Sequence, residues 1–184
     1  MDSRNAKKET LNITYGAIFI ALLVIFQYIT SFFSNQLLTG VCVNTILALS
    51  AFKTNLKTMF GIAVISPALA FLLGIGPKIP LFIPFLIISN CVFVYFVWLG
   101  LDYSKKKSKS PFVFIFLGIC FGAILKSLFI FVSSVYILPL FLVLNKMQKI
   151  MLSSAFSFTS CISAILGGFL AFWIDKSIKF TQKK

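Results

Sequence analysis

Apolar runs of about 20 residues follow one another along almost the whole chain, interrupted by short clusters of lysine. Each run is long enough to cross a hydrocarbon core ~30 Å thick as a helix. That single feature removes most folds from consideration. A chain of 184 residues that is 59% hydrophobic and 11% charged, with mean hydropathy +1.01, has no polar surface with which to cover a soluble core. Lipid is the expected solvent, and the expected fold is an all-α integral membrane protein, one compact domain over 1–184.

The net charge of +13 does not point to nucleic acid. The lysines sit between apolar runs, as the positive-inside rule places them, and no basic stripe is interleaved with aromatics. No cleavable leader is expected. The run from Thr10 to Ser34 opens too long for a signal h-region and ends without a small-x-small site. Cys42, Cys91, Cys120 and Cys161 fall singly inside apolar runs, and the chain has no histidine. A zinc or redox centre needs clustered thiols, so no metal and no cofactor is expected.

The spans fall near 13–34, 36–52, 58–76, 79–103, 111–135 and 150–175. The stretch from Pro111 to Leu144 is the ambiguous one, since it is long enough for two crossings, and charge decides. With six spans, Arg4, Lys7, Lys8, Lys53, Lys57, Lys105, Lys106, Lys107, Lys109, Lys176, Lys179, Lys183 and Lys184 share one side. Only Lys78, Lys146 and Lys149 lie on the other. Splitting the stretch at Lys126 makes seven spans and weakens the bias. The expectation is therefore six transmembrane helices with both termini cytoplasmic, and basic tails at 1–12 and 176–184. Residues 136–149 then form an apolar external segment containing Pro139, lying at the interface or over the bundle as a lid. A second external loop, "GIGPKIPLFIP", is either a turn before a proline-kinked helix or irregular backbone lining a cavity.

Catalysis lacks its parts. The four acids, Asp2, Glu9, Asp102 and Asp175, all sit at the expected cytoplasmic ends. Without histidine or an intramembrane carboxylate there is no proton relay, metal hydrolysis or triad. No GxxxxGK[ST] is present for ATP.

One cation breaks the pattern: Lys126, in "GICFGAILKSLFIF". Counting from Pro111 at ~1.5 Å per residue puts it roughly 22 Å along its helix, in the outer third of the core. It either snorkels to the nearby interface or turns inward. Gly118, Gly122 and Lys126 share one helical face at i, i+4 and i+8, and faces of small residues are packing faces. The lysine is expected to follow its glycines into the bundle, where an intramembrane cation is a functional candidate.

Other polar groups come out at a similar level: Gln27 about 10 Å, Asn44 about 12 Å, Asn90 about 16 Å and Ser157 about 10 Å below the outer ends of their spans. Ser153, Ser157 and Ser160 share a face that Ala164 continues. Each alone reads as a helix–helix hydrogen bond. Together they make an outer-half polar layer holding a positive charge and no carboxylate. An anionic or carbonyl-rich small ligand would supply the missing partner. At the other end, Ala17 and Ala21 in "YGAIFIALL" form an AxxxA pair that lets a second helix approach, within this chain or from another subunit. Gly167, Gly168 and Ala171 make a similar patch expected to be internal.

This arrangement resembles the substrate-binding S components of energy-coupling factor (ECF) transporters. The likeness spans nearly the whole chain: six spans, the Ala17/Ala21 pair, a Gly/Pro-rich external loop before a helix carrying Asn90, "GAILKSLFIF" with Lys126, and "SFTSCISAILGGFLA". The resemblance implies that the AxxxA face docks on a transmembrane T subunit. Two cytoplasmic ATPases would then drive delivery of a vitamin-like solute across a bacterial plasma membrane. Ligand would sit near the external side, which agrees with the polar layer and its candidate residues Lys126, Asn90, Gln27, Asn44 and Ser157. Two other classes stay open. One is a non-transport structural membrane scaffold of the MreD-like kind, in which Lys126 snorkels. The other is a stand-alone secondary transporter, for which the chain offers neither a titratable intramembrane acid nor an evident repeat.

Overall fold

A computed structural model describes residues 3–33, 35–75, 79–106, 111–141 and 156–181, and no strand occurs among them. Helix α1 spans Ser3–Ser31, α2 Gln36–Lys53, α3 Leu56–Leu72, α4 Ile83–Lys106, α5 Pro111–Val132, α6 Leu138–Phe141 and α7 Phe156–Thr181. Five of the helical stretches are long and apolar enough to cross a membrane, and α3 is a shorter apolar helix of 17 residues.

Local chemistry sets the ends. Asn35 caps α2, its Oδ1 accepting from the amides of Leu37 (3.0 Å) and Leu38 (3.2 Å), and Asn55 caps α3 through the amide of Thr58 at 2.9 Å. Helix α3 stops at a Schellman turn. Gly74 adopts φ 69°, its amide bonds to the carbonyl of Phe71, and the next amide, of Ile75, reaches back to Ala70. Only glycine enters that left-handed conformation without a steric cost.

Three boundaries differ from the sequence expectation. The N-terminal tail is helical from Ser3. There Thr10, Asn12 and Thr14 donate to carbonyls one turn back, and Asn12 Oδ1 accepts from the amide of Asn55 at 3.1 Å, tying α1 to the α2–α3 turn. At the other terminus, 176–181 continue α7. The segment after Val132 does not leave the helix at Pro139. A π turn, Ser133–Ile137, widens the ladder so that the amide of Leu138 bonds to Ser133, and α6 continues from it. The wider spacing accommodates the donor that Pro139 lacks. One helical stretch, Phe112–Phe141, results, so the single-span reading of this region holds over its described part. Residues 142–149 of the expected lid lie outside the described residues, as do 76–78 of the other loop.

The helices close into a ring in which α1 packs on α3, α3 on α4, α4 on α5, α5 on α7, α7 on α2 and α2 on α1. Helix α2 also reaches across to α3 and α4. Its residues Ile46, Leu47, Ala48 and Ala51 enter a core with Leu23, Met59, Ile62, Phe93, Val94, Val97 and Ile119. The α4–α5 seam is the tightest. Gly100 faces Gly118 so closely that a Cβ on Gly118 would lie 2.6 Å from the Phe96 carbonyl oxygen. Gly167 approaches the α2 backbone at Val41 and Thr45 in the same way, and Ala171 is fully buried. The glycine patch of the last helix is therefore internal.

At the end of the bundle holding the chain termini, Asp175 on α7 pairs with Lys53 of α2 at 2.8 Å and with Lys179 at 2.6 Å. Its side chain is 9% exposed, so this carboxylate joins two helices out of bulk water. Asp175→Asn is expected to lower stability by about 1–3 kcal/mol, since hydrogen bonds to a buried charge are lost. Asp102, in the exposed Lys106 pair at 2.6 Å, is expected to tolerate the same change within about 0.5 kcal/mol. Thermal unfolding of the two variants in detergent makes the comparison.

Candidate functional site: a polar cavity floored by Lys126

The i, i+4, i+8 face of α5 packs along α4 in register. Gly118 meets Gly100, Gly122 meets Phe96 and Phe93, and one turn further Lys126 meets Asn90. The two glycines bring the backbones together, and that proximity lets a long side chain turn inward instead of out to the interface. Lys126 is 5% exposed. Its Nζ donates to Asn90 Oδ1 at 2.7 Å and to Asn44 Oδ1 of α2 at 2.6 Å, and lies 5.3 Å from the centre of the Phe93 ring. The snorkelling orientation is not the one adopted.

Around this group lies a cavity of about 490 Å³, within the range of small-molecule sites. It occupies the end of the bundle opposite the chain termini. The C-terminal turns of α1 and α3, the N-terminal halves of α2, α4 and α7, and the C-terminal half of α5 enclose it. Lys126, Asn44 and Asn90 form its floor. Gln27 contributes to the wall from α1, 3% exposed, and its Oε1 has no hydrogen-bond partner among the described residues. Gly74 and Ile75 of the Schellman turn, with Ser66 and Pro67 of α3, also line it. Of the described part of the Gly/Pro-rich loop, Gly74 and Ile75 form cavity wall, while Pro80–Phe82 make a 3-10 turn that leads into α4. Ser157 lies in the first turn of α7, but its side chain falls outside the described residues.

The structure brings together four of the five expected ligand residues, Lys126, Asn90, Asn44 and Gln27. It adds several that sequence reasoning passed over. Ser163 Oγ accepts from Asn44 Nδ2 at 3.2 Å and so orients the amide that holds the lysine. Thr30, Ser31, Asn35, Gln36 and Thr39 form the polar rim. The signal for Ser163 was present, because it stands four residues before Gly167, as Gly122 stands four before Lys126 and Gly40 four before Asn44. A small residue one turn away brings the facing helix within hydrogen-bonding reach.

Asn44 and Asn90 are neutral, and no carboxylate lines the cavity among the described residues. Removing an ion from water costs several kcal/mol, and neutral amide oxygens offset only part of it. Among the described residues no cluster of His, Cys, Asp and Glu is arranged to hold a metal, and the four cysteines are free thiols. Ala17 and Ala21 stand away from the cavity, exposed on the outer face of α1, while Gly16, Phe19 and Leu23 face inward.

Fold and site together define a helical protein, with five helical stretches long and apolar enough to cross a membrane, that carries a ligand-sized cavity with a buried lysine at one end. Comparison with known families, with curated proteins and with solved structures yields no match.

Proposed function

We propose that the chain is the substrate-capture subunit of an ECF-type importer, binding a vitamin-like small molecule from the external side without catalysing a reaction. The observation that carries this reading is the cavity of about 490 Å³ at whose floor a buried lysine amine is held only by two neutral side-chain amides. An anionic or carbonyl-rich guest would give that amine a further partner, and an intramembrane ionisable group is by default a functional-site candidate. The lysine-rich ends of the helices lie opposite the cavity, so the positive-inside rule assigns the opening to the external face and both termini to the cytoplasm. Energy would come from partner subunits, a transmembrane T subunit and its ATPases.

Native mass spectrometry of the detergent-purified protein, followed by release of any bound metabolite, tests the proposal. A stoichiometric small molecule supports it. No adduct and no thermal stabilisation across a metabolite panel would transfer support to the scaffold reading. That alternative draws on the same three-helix link, since Lys126 joins α2, α4 and α5 whether or not a ligand is present.

The exposed Ala17 and Ala21 mark the proposed docking face. Ala17→Leu with Ala21→Leu is expected to leave the melting temperature and ligand affinity unchanged while abolishing co-purification with the energising subunits. Close helix approach fails when small residues are enlarged. Retention of the complex in the double variant would move the docking face elsewhere.

A further inference from the structure

The cavity wall has two unlike halves, and from them we infer that the guest is two-faced, with an aliphatic edge along one side and a hydrogen-bonding edge along the other. The inference rests on the capture reading above.

In the ring of helices α3, α4 and α5 are consecutive neighbours, and so are α7, α2 and α1. The first three turn Pro67, Ala70, Leu86 and Ile130 to the cavity, together with Ile75 of the Schellman turn. Apart from the floor residues Asn90 and Lys126, Ser66 is the polar exception among their described lining residues. The opposite arc is polar on every helix. Gln27 and Thr30 come from α1, Thr39 and Asn44 from α2, and Ser160 and Ser163 from α7, with Val43 the apolar exception.

In a chain that is 59% hydrophobic an apolar wall is the ordinary outcome, so the polar arc is the departure that needs a cause. Bonding between helices accounts for part of it, through Asn44 and Ser163. It does not account for the threonines. Thr30 donates its hydroxyl to the Phe26 carbonyl at 2.7 Å and Thr39 to the Asn35 carbonyl at 3.2 Å. Both bonds stay within the residue's own stretch of chain, and each oxygen can still accept. The side-chain amides of Gln27, Asn35 and Gln36, on the same arc, carry N–H donors as well as carbonyl oxygens. Hydroxyl or amide groups, which both donate and accept, match such a surface.

The two arcs reject different errors. A guest with polar groups all round would lose water against Pro67, Leu86 and Ile130 and regain no hydrogen bond there. A guest that is apolar all round would leave the groups of the other arc unpaired. Only a molecule divided along its length suits both.

The test uses three carboxylates that differ by one edge at a time, titrated calorimetrically into the full-length protein in detergent. The two-faced probe is 2,4-dihydroxy-3,3-dimethylbutanoate. Removing its hydroxyls gives 3,3-dimethylbutanoate, and removing its methyls gives 2,4-dihydroxybutanoate. All three share the carboxylate, so any contact with Lys126 is common to the set. Two buried methyls are worth about tenfold in affinity, and two hydrogen-bonding hydroxyls about the same. The expected result is that the two-faced acid binds about tenfold tighter than either control. Leu86→Ala should narrow its preference over the dihydroxy acid about fivefold. Thr39→Val should narrow its preference over the dimethyl acid by a similar factor. A control that binds as tightly as the two-faced acid overturns the ligand class and leaves the capture reading intact. So does a set of three non-binders on a protein that retains a metabolite in native mass spectrometry. Variants that change both preferences alike overturn the assignment of the two faces. No binding from any probe and no retained metabolite overturn the capture reading as well.

Discussion

Lys126→Met is expected to weaken ligand binding by about 30-fold or more while the protein remains folded and inserted. The magnitude follows from the contact that disappears. A buried charge pair, once one partner is deleted, loses about 2 kcal/mol or more, and each ~1.4 kcal/mol is tenfold in affinity. Folding should respond in the opposite sense. Methionine fills much of the lysine volume, and replacing a buried ion with an apolar side chain is often neutral or stabilising. The oxygens of Asn44 and Asn90 lose their donor, yet both residues line the cavity, where water can reach them. The melting temperature without ligand should therefore equal or exceed that of the parent. Titration with the metabolite released from the wild-type protein, set beside a thermal melt, separates the outcomes. A folded variant with undiminished affinity would remove Lys126 from the site. A variant that fails to fold would make the lysine a structural strut joining α2, α4 and α5.

Much of this site is legible from spacing because the determining physics is local. Gly118, Gly122 and Lys126 lie on one helical stripe, and a stripe beginning with glycines must face another helix, so the lysine's direction follows from α5 alone. Register between helices is a different matter. That Lys126 meets Asn90 and Asn44 depends on where Gly100 and Gly118 seat against each other and on where α2 crosses the ring. Depth counting brought these residues only to a common level. The rim was missed for a related reason. Thr30, Ser31 and Thr39 bond to their own helices, as such residues commonly do in apolar spans, and nothing in their spacing marks them as cavity-lining. The continuation past Val135 was hidden by Pro139, which reads as a helix stop unless the ladder widens ahead of it.

The second large effect belongs to the α4–α5 seam, which positions the lysine without touching any ligand. Gly118→Ala is expected to destabilise the protein by about 1–3 kcal/mol, the usual range for overpacking. The added Cβ would lie 2.6 Å from the Phe96 carbonyl oxygen and 3.0 Å from the Gly100 Cα, both backbone atoms of a facing helix. No rotamer change relieves a clash with backbone, so the helices must separate. Separation at Gly118 lengthens the lever two turns on, where Lys126 reaches Asn90, so ligand affinity should fall together with stability. Gly61→Ala is the matched control. It has the same chemistry inside a helix, but a Cβ there meets nothing within 4 Å, and the gain in helix propensity is up to about 1 kcal/mol. Thermal melts and ligand titrations on the pair give four numbers, and the expectation is a loss in both for Gly118→Ala and in neither for Gly61→Ala. If Gly118→Ala melts lower yet binds ligand as before, the seam supports the fold alone, and the position of Lys126 is set by its contacts with α2.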